Sequence, residues 1–375
     1  MTSPLLLGAC LALGAQCAAA QTSAVTIYGR LNAALEKVDT SRDASGKPLG
    51  LTRESNYRSV IGFRGSEALG NGLGDGLGDD LRAIYQVEGT LSLDSGAGSI
   101  AARDTRIGLE GAFGVLFAGN WVTPYNAATS GLDPFYPTTA GYMSIMGNGS
   151  ASTADNVSDT ASFDRRQQNS IHYASPAWRG WSLRVAHGLN EESPAGGARP
   201  SLSSGAIVYE AGALYFALAQ ERHHAYQGMG RTDTGSKVAL AWRIGTSGGG
   251  ATRVAAVAEQ LRYQTASGAL ERSAVYLSAT HQIGAHGIRV AAARAGDGKG
   301  PSTERIGFIK SGAATGATHY TLGYDYKLSE RSSLFAYYTR LRNGGNGVAD
   351  FAINSMGVAA GARLSGAALG MRHAF

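Results

Sequence analysis

Four arginines, Arg30, Arg58, Arg82 and Arg106, recur on the polar side of alternating segments in the first third of the chain. After them, no Lys or Arg occurs between Arg106 and Arg165. That stretch holds Asp133, Asp155, Asp159 and Asp164, and also Pro124, Pro134 and Pro137 beside Tyr125, Phe135, Tyr136 and Tyr142. Bases on one wall and acids on a facing loop do no covalent chemistry. They create a transverse field that sorts whatever passes between them by size, dipole and charge. The competing reading is that the arginines merely keep a wet wall wet.

Other chemistries lack their residues. His223 and His224 are adjacent, so on a strand they point to opposite faces. His281 and His286 straddle a turn. There is no H-E-x-x-H pair, no G-x-S-x-G elbow, and no P-loop or strand-linked dinucleotide fingerprint. The run Gly72 to Asp80 duplicates Gly-Leu-Gly-Asp once, short of the stacked copies that calcium repeats need. Both cysteines, Cys10 and Cys17, lie in the first 20 residues, so the rest has no thiol or disulfide chemistry. No enzyme, no cofactor and no metal site is expected.

Leu5 to Ala20 is apolar apart from Gln16 and ends in Cys17-Ala18-Ala19-Ala20. Residues 1–20 therefore read as a secretory signal peptide, although no Lys or Arg precedes the apolar run. Residues 21–375 are left as a single domain. Glycine supplies 53 of 375 residues, about twice the usual share. No G-X-Y period exists, so collagen is excluded. Charged residues are only 16%, which excludes a coiled coil, and 43% hydrophobic residues exclude bulk disorder. The net charge of +5 is a mild bias towards anions, without the clustering of a nucleic-acid binder.

The elements that must position these charges are strands. Val25, Ile27, Gly29, Leu31, Ala33 and Leu35 alternate with Thr26, Tyr28, Arg30, Asn32, Ala34 and Glu36. One face is apolar and the other wet. Sixteen such segments fall near 25–38, 54–65, 81–92, 102–111, 114–121, 167–175, 180–188, 203–210, 213–222, 236–245, 252–263, 271–283, 287–295, 315–328, 331–342 and 363–375. Short connections alternate with long ones at 39–53, 122–166, 223–235, 296–314 and 343–362. This is the pattern of an all-β, transmembrane antiparallel β-barrel of 16 strands. A soluble sandwich would have to bury its apolar face on a second sheet. In hydrocarbon, every backbone polar group must be paired, so the sheet must close, strand 16 on strand 1. Trp121, Trp178, Trp181 and Trp242 are expected in the aromatic girdles at the membrane interfaces.

Several stretches resemble the trimeric general porins of Gram-negative bacteria, especially the β-proteobacterial type. Val25-Thr26-Ile27-Tyr28-Gly29 looks like their first strand. Ile61-Gly62-Phe63-Arg64-Gly65-Ser66-Glu67-Ala68-Leu69-Gly70 resembles their G-F-K/R-G-x-E-x-L-G hairpin. Arg103 with Ile107-Gly108-Leu109, Gly111 and Phe113-Gly114 is similar to their fourth strand and turn. Asn169-Ser170-Ile171 with Tyr173 and Ser175-Pro176, Leu322 to Ser329, and Gly370 to Phe375 continue the series in the family's order. The resemblance implies a homotrimer whose long loop 3 folds into the pore. It implies that Phe375 is the signal read by the barrel-assembly machinery. The surroundings would be outer-membrane lipids and lipopolysaccharide, and the passengers small hydrophilic solutes and inorganic ions. Arg30, Arg58, Arg82 and Arg106 would form the basic wall of the constriction, and the four loop aspartates its acidic side.

The chain also departs from the family pattern. Val60 stands where an arginine often precedes the I/F-G-F motif, Asn120 follows Phe117-Ala118-Gly119 in place of an arginine, and Asn32 replaces a first-strand acid. Three rival readings remain, one of them a barrel enzyme, a protease or acyl hydrolase acting at the membrane. Tyr125, Phe135 and Tyr136 could serve a substrate-specific channel, and the loops could serve an adhesin or structural barrel.

Overall fold

All sixteen expected segments are strands in a computed structural model, which describes residues 25–69, 81–192, 196–245 and 250–375. The expected leader at 1–20 and the glycine–aspartate duplication at 72–80 lie outside the described residues. The strands are β1 (Thr26–Thr40), β2 (Leu49–Asn56 and Ser59–Ala68), β3 (Arg82–Leu91) and β4 (Gly98–Ser99 and Thr105–Gly111). Then come β5 (Gly114–Val122), β6 (Arg165–Ala174), β7 (Trp181–Gly188) and β8 (Ser201–Ala211). The second half holds β9 (Leu214–His224), β10 (Thr232–Gly245), β11 (Ala251–Thr265) and β12 (Gly268–Ile283). It ends with β13 (His286–Ala295), β14 (Ala317–Lys327), β15 (Ser332–Asn343) and β16 (Arg363–Ala374). Each pairs antiparallel with its sequence neighbour, and β16 pairs with β1 from Arg30↔Ala374 to Thr40↔Leu364. The closed 16-stranded sheet has no free edge.

Parity decides which face each residue takes. In β1, Ile27 and Leu35 are 60% and 69% exposed on the outside, whereas Asn32 and Glu36 are buried on the inside. The outer face carries the large apolar side chains. Near the short turns Trp181 meets Tyr209 at 4.9 Å and Phe216 at 6.4 Å, and Trp242 lies opposite Leu214 one strand on. Trp178 is exposed in the turn before β7. These fit an interfacial girdle. Trp121 does not join it, contrary to the expectation from sequence. The register against β6 shifts between Gly119 and Trp121, and the indole turns inward, 5.3 Å from Phe117.

Gly29 lets the seam close tightly. The Gly29 N–H donates to the Phe375 carbonyl at 2.9 Å, and Phe375 N–H returns the bond at 3.1 Å. A Cβ at Gly29 would sit 2.4 Å from the Phe375 ring and 2.8 Å from the Val60 carbonyl. Gly29→Ala is therefore expected to destabilise the folded barrel by about 1–3 kcal/mol, the usual cost of overpacking. The urea midpoint of the heat-modifiable gel band measures it. Removing the ring as well, in Gly29→Ala/Phe375→Ala, should recover part of the loss.

Two strands are broken where the lumen needs side chains. Between Arg30↔Val60 and Ala33↔Asn56, two residues of β1 oppose three of β2, Tyr57, Arg58 and Ser59. This is a β-bulge, which bends a strand and re-aims its side chains. Arg58 takes a left-handed φ of 55° within it. Asn32 holds the bulge: its N–H donates to Ser59 Oγ at 2.9 Å and its side-chain amide to the Tyr57 carbonyl at 3.3 Å. The β4 strand is interrupted over residues 100–104, which brings Arg103 inward.

Candidate functional site

The long third loop, residues 123–164, lies inside the barrel against β8 to β14. It starts with α1 (Pro124–Ser130), in which Thr123 caps the N-terminus and Pro124 opens the first turn. The inward positions beneath the loop are small, among them Ala206, Ala217, Ala239, Ala241 and Ala255, and into that space pack Tyr125, Tyr142, Met143, Ile145, Met146 and Phe163. Polar ties then fix the loop. Tyr125 donates to Glu259 at 3.0 Å, and Gly147 N–H donates to both Glu259 oxygens at 2.9 Å. Lys237 donates to Asp164 at 2.5 Å, and Ser278 to the Leu132 carbonyl at 2.9 Å.

The four aspartates have distinct places. Asp133 is buried, and its carboxylate accepts from Tyr276 (2.9 Å), Phe135 N–H (3.0 Å) and Tyr142 N–H (2.8 Å). Burial pushes its pKa up to about 6, against the pull of those donors. Asp164 is buried with Lys237, and burial raises it too, while the ammonium holds it back. Asp155 accepts from the N–H groups of Val157 and Ser158 and caps a turn. Asp159 accepts from Ser162 N–H. Two of the acids thus fasten the loop to the wall behind it, and two fold the loop on itself. None of them contacts Arg30, Arg58, Arg82 or Arg106.

The inward arginines of this part of the barrel are more than the four chosen by alternation. Arg58 spans the gap to the loop, donating to Tyr136 Oη at 3.1 Å and to Ser150 Oγ at 2.6 Å. Arg30 donates to the Arg58 carbonyl at 3.1 Å and lies within electrostatic reach of Arg103 and Arg372. Arg106 stacks over Phe117 at 4.8 Å and Trp121 at 4.3 Å, which fixes its guanidinium against an aromatic shelf. Arg82 stands apart. It donates to Ser66 at the short-turn end of β3 and touches no part of the loop.

Arg103, Arg166 and Arg372 were missed. Arg103 pairs with Glu88 at 2.9 Å, and Arg166 with Asp104 at 2.6 Å. Arg166 lies one residue before the expected start of its strand. Arg103 lies in a break that alternation cannot register. Arg372 was hidden in a series read for its apolar side. Arg30, Arg58, Arg106 and Arg372 have no carboxylate partner among the described residues. The loop reports their field. Burial raises the Tyr136 phenol, but Arg58, Arg103 and Arg166 together pull it below its ordinary value.

The last loop, residues 344–362, was also missed as a lumen element. Phe351 is fully buried, and Ala352 N–H donates to Ser144 of the third loop at 3.1 Å. Arg53 donates to the Asn354 carbonyl at 2.8 Å, and Asp350 gathers the N–H groups of Phe351, Met356 and Gly357. The signal was available: Phe351, Ile353 and Met356 are large apolar residues inside a long loop.

With this geometry in hand, comparisons place the chain among known proteins. The family described as Gram-negative porin matches residues 8–346. The chain is 25% identical to outer membrane porin protein 32 of Delftia acidovorans, over 97% of each chain. It spans about half the length of the major outer membrane proteins of Neisseria that it also matches. Among solved structures, the anion-selective porin from Comamonas acidovorans superposes with a TM-score of 0.70 at 21% identity, covering 94% of this chain and 100% of that one. The trimer form of OmpT from Vibrio cholerae superposes at 0.60 with 15% identity, covering 94% of this chain and 99% of that one.

Proposed function

Because the chain belongs to the Gram-negative porin family, we propose that its constriction filters small hydrophilic solutes and inorganic ions with a preference for anions. The protein is an outer-membrane porin, and its barrel is a passive diffusion path. The observation that carries the anion preference is the imbalance at the eyelet. Four arginines line it without carboxylate partners, while the buried acids of the third loop face the wall behind. Fixed charge of one sign beside a narrow water path raises the local concentration of counter-ions and repels co-ions. The anion-selective porin from Comamonas, which shares the fold, supports the same reading.

A specific channel built on the three loop aromatics is less well supported. Tyr125 and Phe135 are fully buried, and Tyr136 is covered by Arg58. We propose a homotrimer, after the trimeric OmpT, with the uncharged outer arc of β4 to β6 as the contact. The broken β4 leaves a groove of about 710 Å³ there, edged by Ile100, which is 82% exposed. The barrel-assembly machinery, reading Phe375, and the lipids and lipopolysaccharide of the outer membrane complete the proposed partners.

Planar bilayers test the reading. Refolded protein should give ohmic steps in groups of three, and under a KCl gradient its reversal potential should take the sign of chloride permeation. A folded barrel without conductance would sink the porin mechanism for this chain. A potassium-favouring potential would sink the anion preference alone.

A further inference from the structure

The inward arginines of β4 to β7 fall into two groups. Arg103 and Arg166 are met by carboxylates, and Arg165 donates to the carbonyls of Asp155 and Asp159. Arg106 and Arg184, by contrast, form no hydrogen bond and no ion pair among the described residues. Asp104 and Glu110 lie within electrostatic reach of Arg106, but Asp104 is taken by Arg166, and Glu110 is exposed at the short-turn end of β4. Arg184 stands between outward Leu183 and Val185, so it points into the lumen, opposite Ala174 of β6.

A set of rings lies between these two cations. Phe117 of β5 directly opposes His172 of β6, and their rings stack at 4.8 Å with 6° between the planes. Trp121 meets Phe117 edge-on at 5.3 Å. His172 is held by Ser170 Oγ at 2.9 Å, and that hydroxyl donates to the Gly119 carbonyl at 3.0 Å. The Arg106 guanidinium lies across both Phe117 and Trp121. Its Nε is buried without an acceptor, while the residue as a whole is half-buried, so the rest of the fork faces the lumen. Phe117 is close to the short turn that opens β5, which puts the rings on the short-turn side of the third loop.

Fixed charge alone does not require such a seat. Arg58 charges its part of the lumen while donating to Tyr136 and Ser150. A guanidinium laid on aromatic faces, with its donors unspent, suits a ligand that carries both a flat ring and a carboxylate. The carboxylate takes two N–H groups of the fork side by side. The ring stacks on the guanidinium plane or meets the edge of Trp121. An inorganic anion uses the fork and gains nothing from the rings. Arg184 adds a second cation beyond the ring pair, three strand spacings or about 14 Å from Arg106 between backbones.

Resting on the porin reading above, we propose that Arg106, Phe117, Trp121 and His172 form a binding site for aromatic carboxylates on the short-turn side of the third loop. Small anions pass this shelf unheld, whereas those that carry a ring pause on it. The site deepens the anion preference into a preference for one chemical class.

The test uses the full chain refolded in detergent at pH 7. Displacement of 4-fluorobenzoate, followed by fluorine NMR line width, compares three competitors. Benzoate has ring and charge, cyclohexanecarboxylate has the charge without the π-face, and benzamide has the ring without the charge. Wild type is expected to bind benzoate about threefold more tightly than cyclohexanecarboxylate. It should bind benzoate about tenfold more tightly than benzamide. Phe117→Leu/Trp121→Leu should lose the first preference, and Arg106→Gln most of the second. Equal affinity for benzoate and cyclohexanecarboxylate in the wild type would overturn the proposal. So would a ring preference that survives in the double variant. The wild-type comparison and Arg106→Gln decide the matter even if the double variant fails to fold. Bilayer conductance of the same preparation separates the two readings. A folded barrel that binds benzoate selectively but never conducts would strike the porin reading and leave the site standing. A conducting barrel without ring preference would strike the site alone.

Discussion

Arg58→Ala is expected to move the reversal potential towards cations and to raise single-channel conductance. Arg58 crosses from the β2 bulge to Tyr136 and Ser150, so on the proposed reading its side chain both charges the eyelet and fills it. A unit charge about 6 Å from the ion path in water-like surroundings is worth about 0.7 kcal/mol. Chloride loses that attraction and potassium loses an equal repulsion, so the chloride-to-potassium permeability ratio should drop on the order of tenfold. Adding Arg30→Ala should lower it further, since Arg30 leans on the Arg58 carbonyl. Arg82→Ala is the control: at the short-turn end, with Ser66 as its partner, it should leave the ratio within error. An unchanged ratio in the Arg30/Arg58 double variant would mean that the field is set elsewhere in the lumen.

Lys237→Ala is expected to release the third loop. Its ammonium bonds Asp164 at 2.5 Å and Thr129 at 3.2 Å, approaches Glu259 to 3.6 Å and lies 4.2 Å above the Tyr125 ring. Removing one partner of a buried ion pair strands the other, at a cost of about 3–5 kcal/mol. Here two carboxylates are stranded, with Arg272 3.6 Å from Glu259 as the remaining cation. The barrel wall itself keeps every backbone bond, so the loss falls on the loop. Single-channel current should become noisy and larger. Chymotrypsin should cut at the newly accessible tyrosines, whereas trypsin finds no Lys or Arg between Arg106 and Arg165. Lys237→Met/Asp164→Asn should recover part of the quiet current, because it removes one stranded charge. Quiet channels and a protease-resistant loop in Lys237→Ala would show that apolar packing alone holds the loop.

Much of the barrel was legible because its rule is local. Strand side chains alternate with period two, lipid accepts only apolar ones, and hydrocarbon forbids an open edge. Reading β1, β10 or β14 for alternation therefore gives strand, face and closure together. The candidate site was legible only in part. Arg30 and Arg106 follow parity and line the lumen. Arg58 needs the bulge to project it, and Trp121 is turned inward by a register shift that no alternation announces.

The acids mark the boundary most sharply. Composition placed Asp133, Asp155, Asp159 and Asp164 on one loop, and it could not say which way each carboxylate turns. For Asp133 and Asp164 that choice depends on Tyr276, Lys237 and Glu259, which lie some 70 to 145 residues away in sequence and become neighbours only once the barrel closes. By itself, then, the sequence determined a sixteen-stranded, lipid-facing barrel with a long loop between β5 and β6, since these follow from periodicity and the solvent. The tertiary structure alone decided where the charges stand. A carboxylate pays for burial unless a partner meets it, and across a barrel those partners are brought together by closure, not by spacing along the chain.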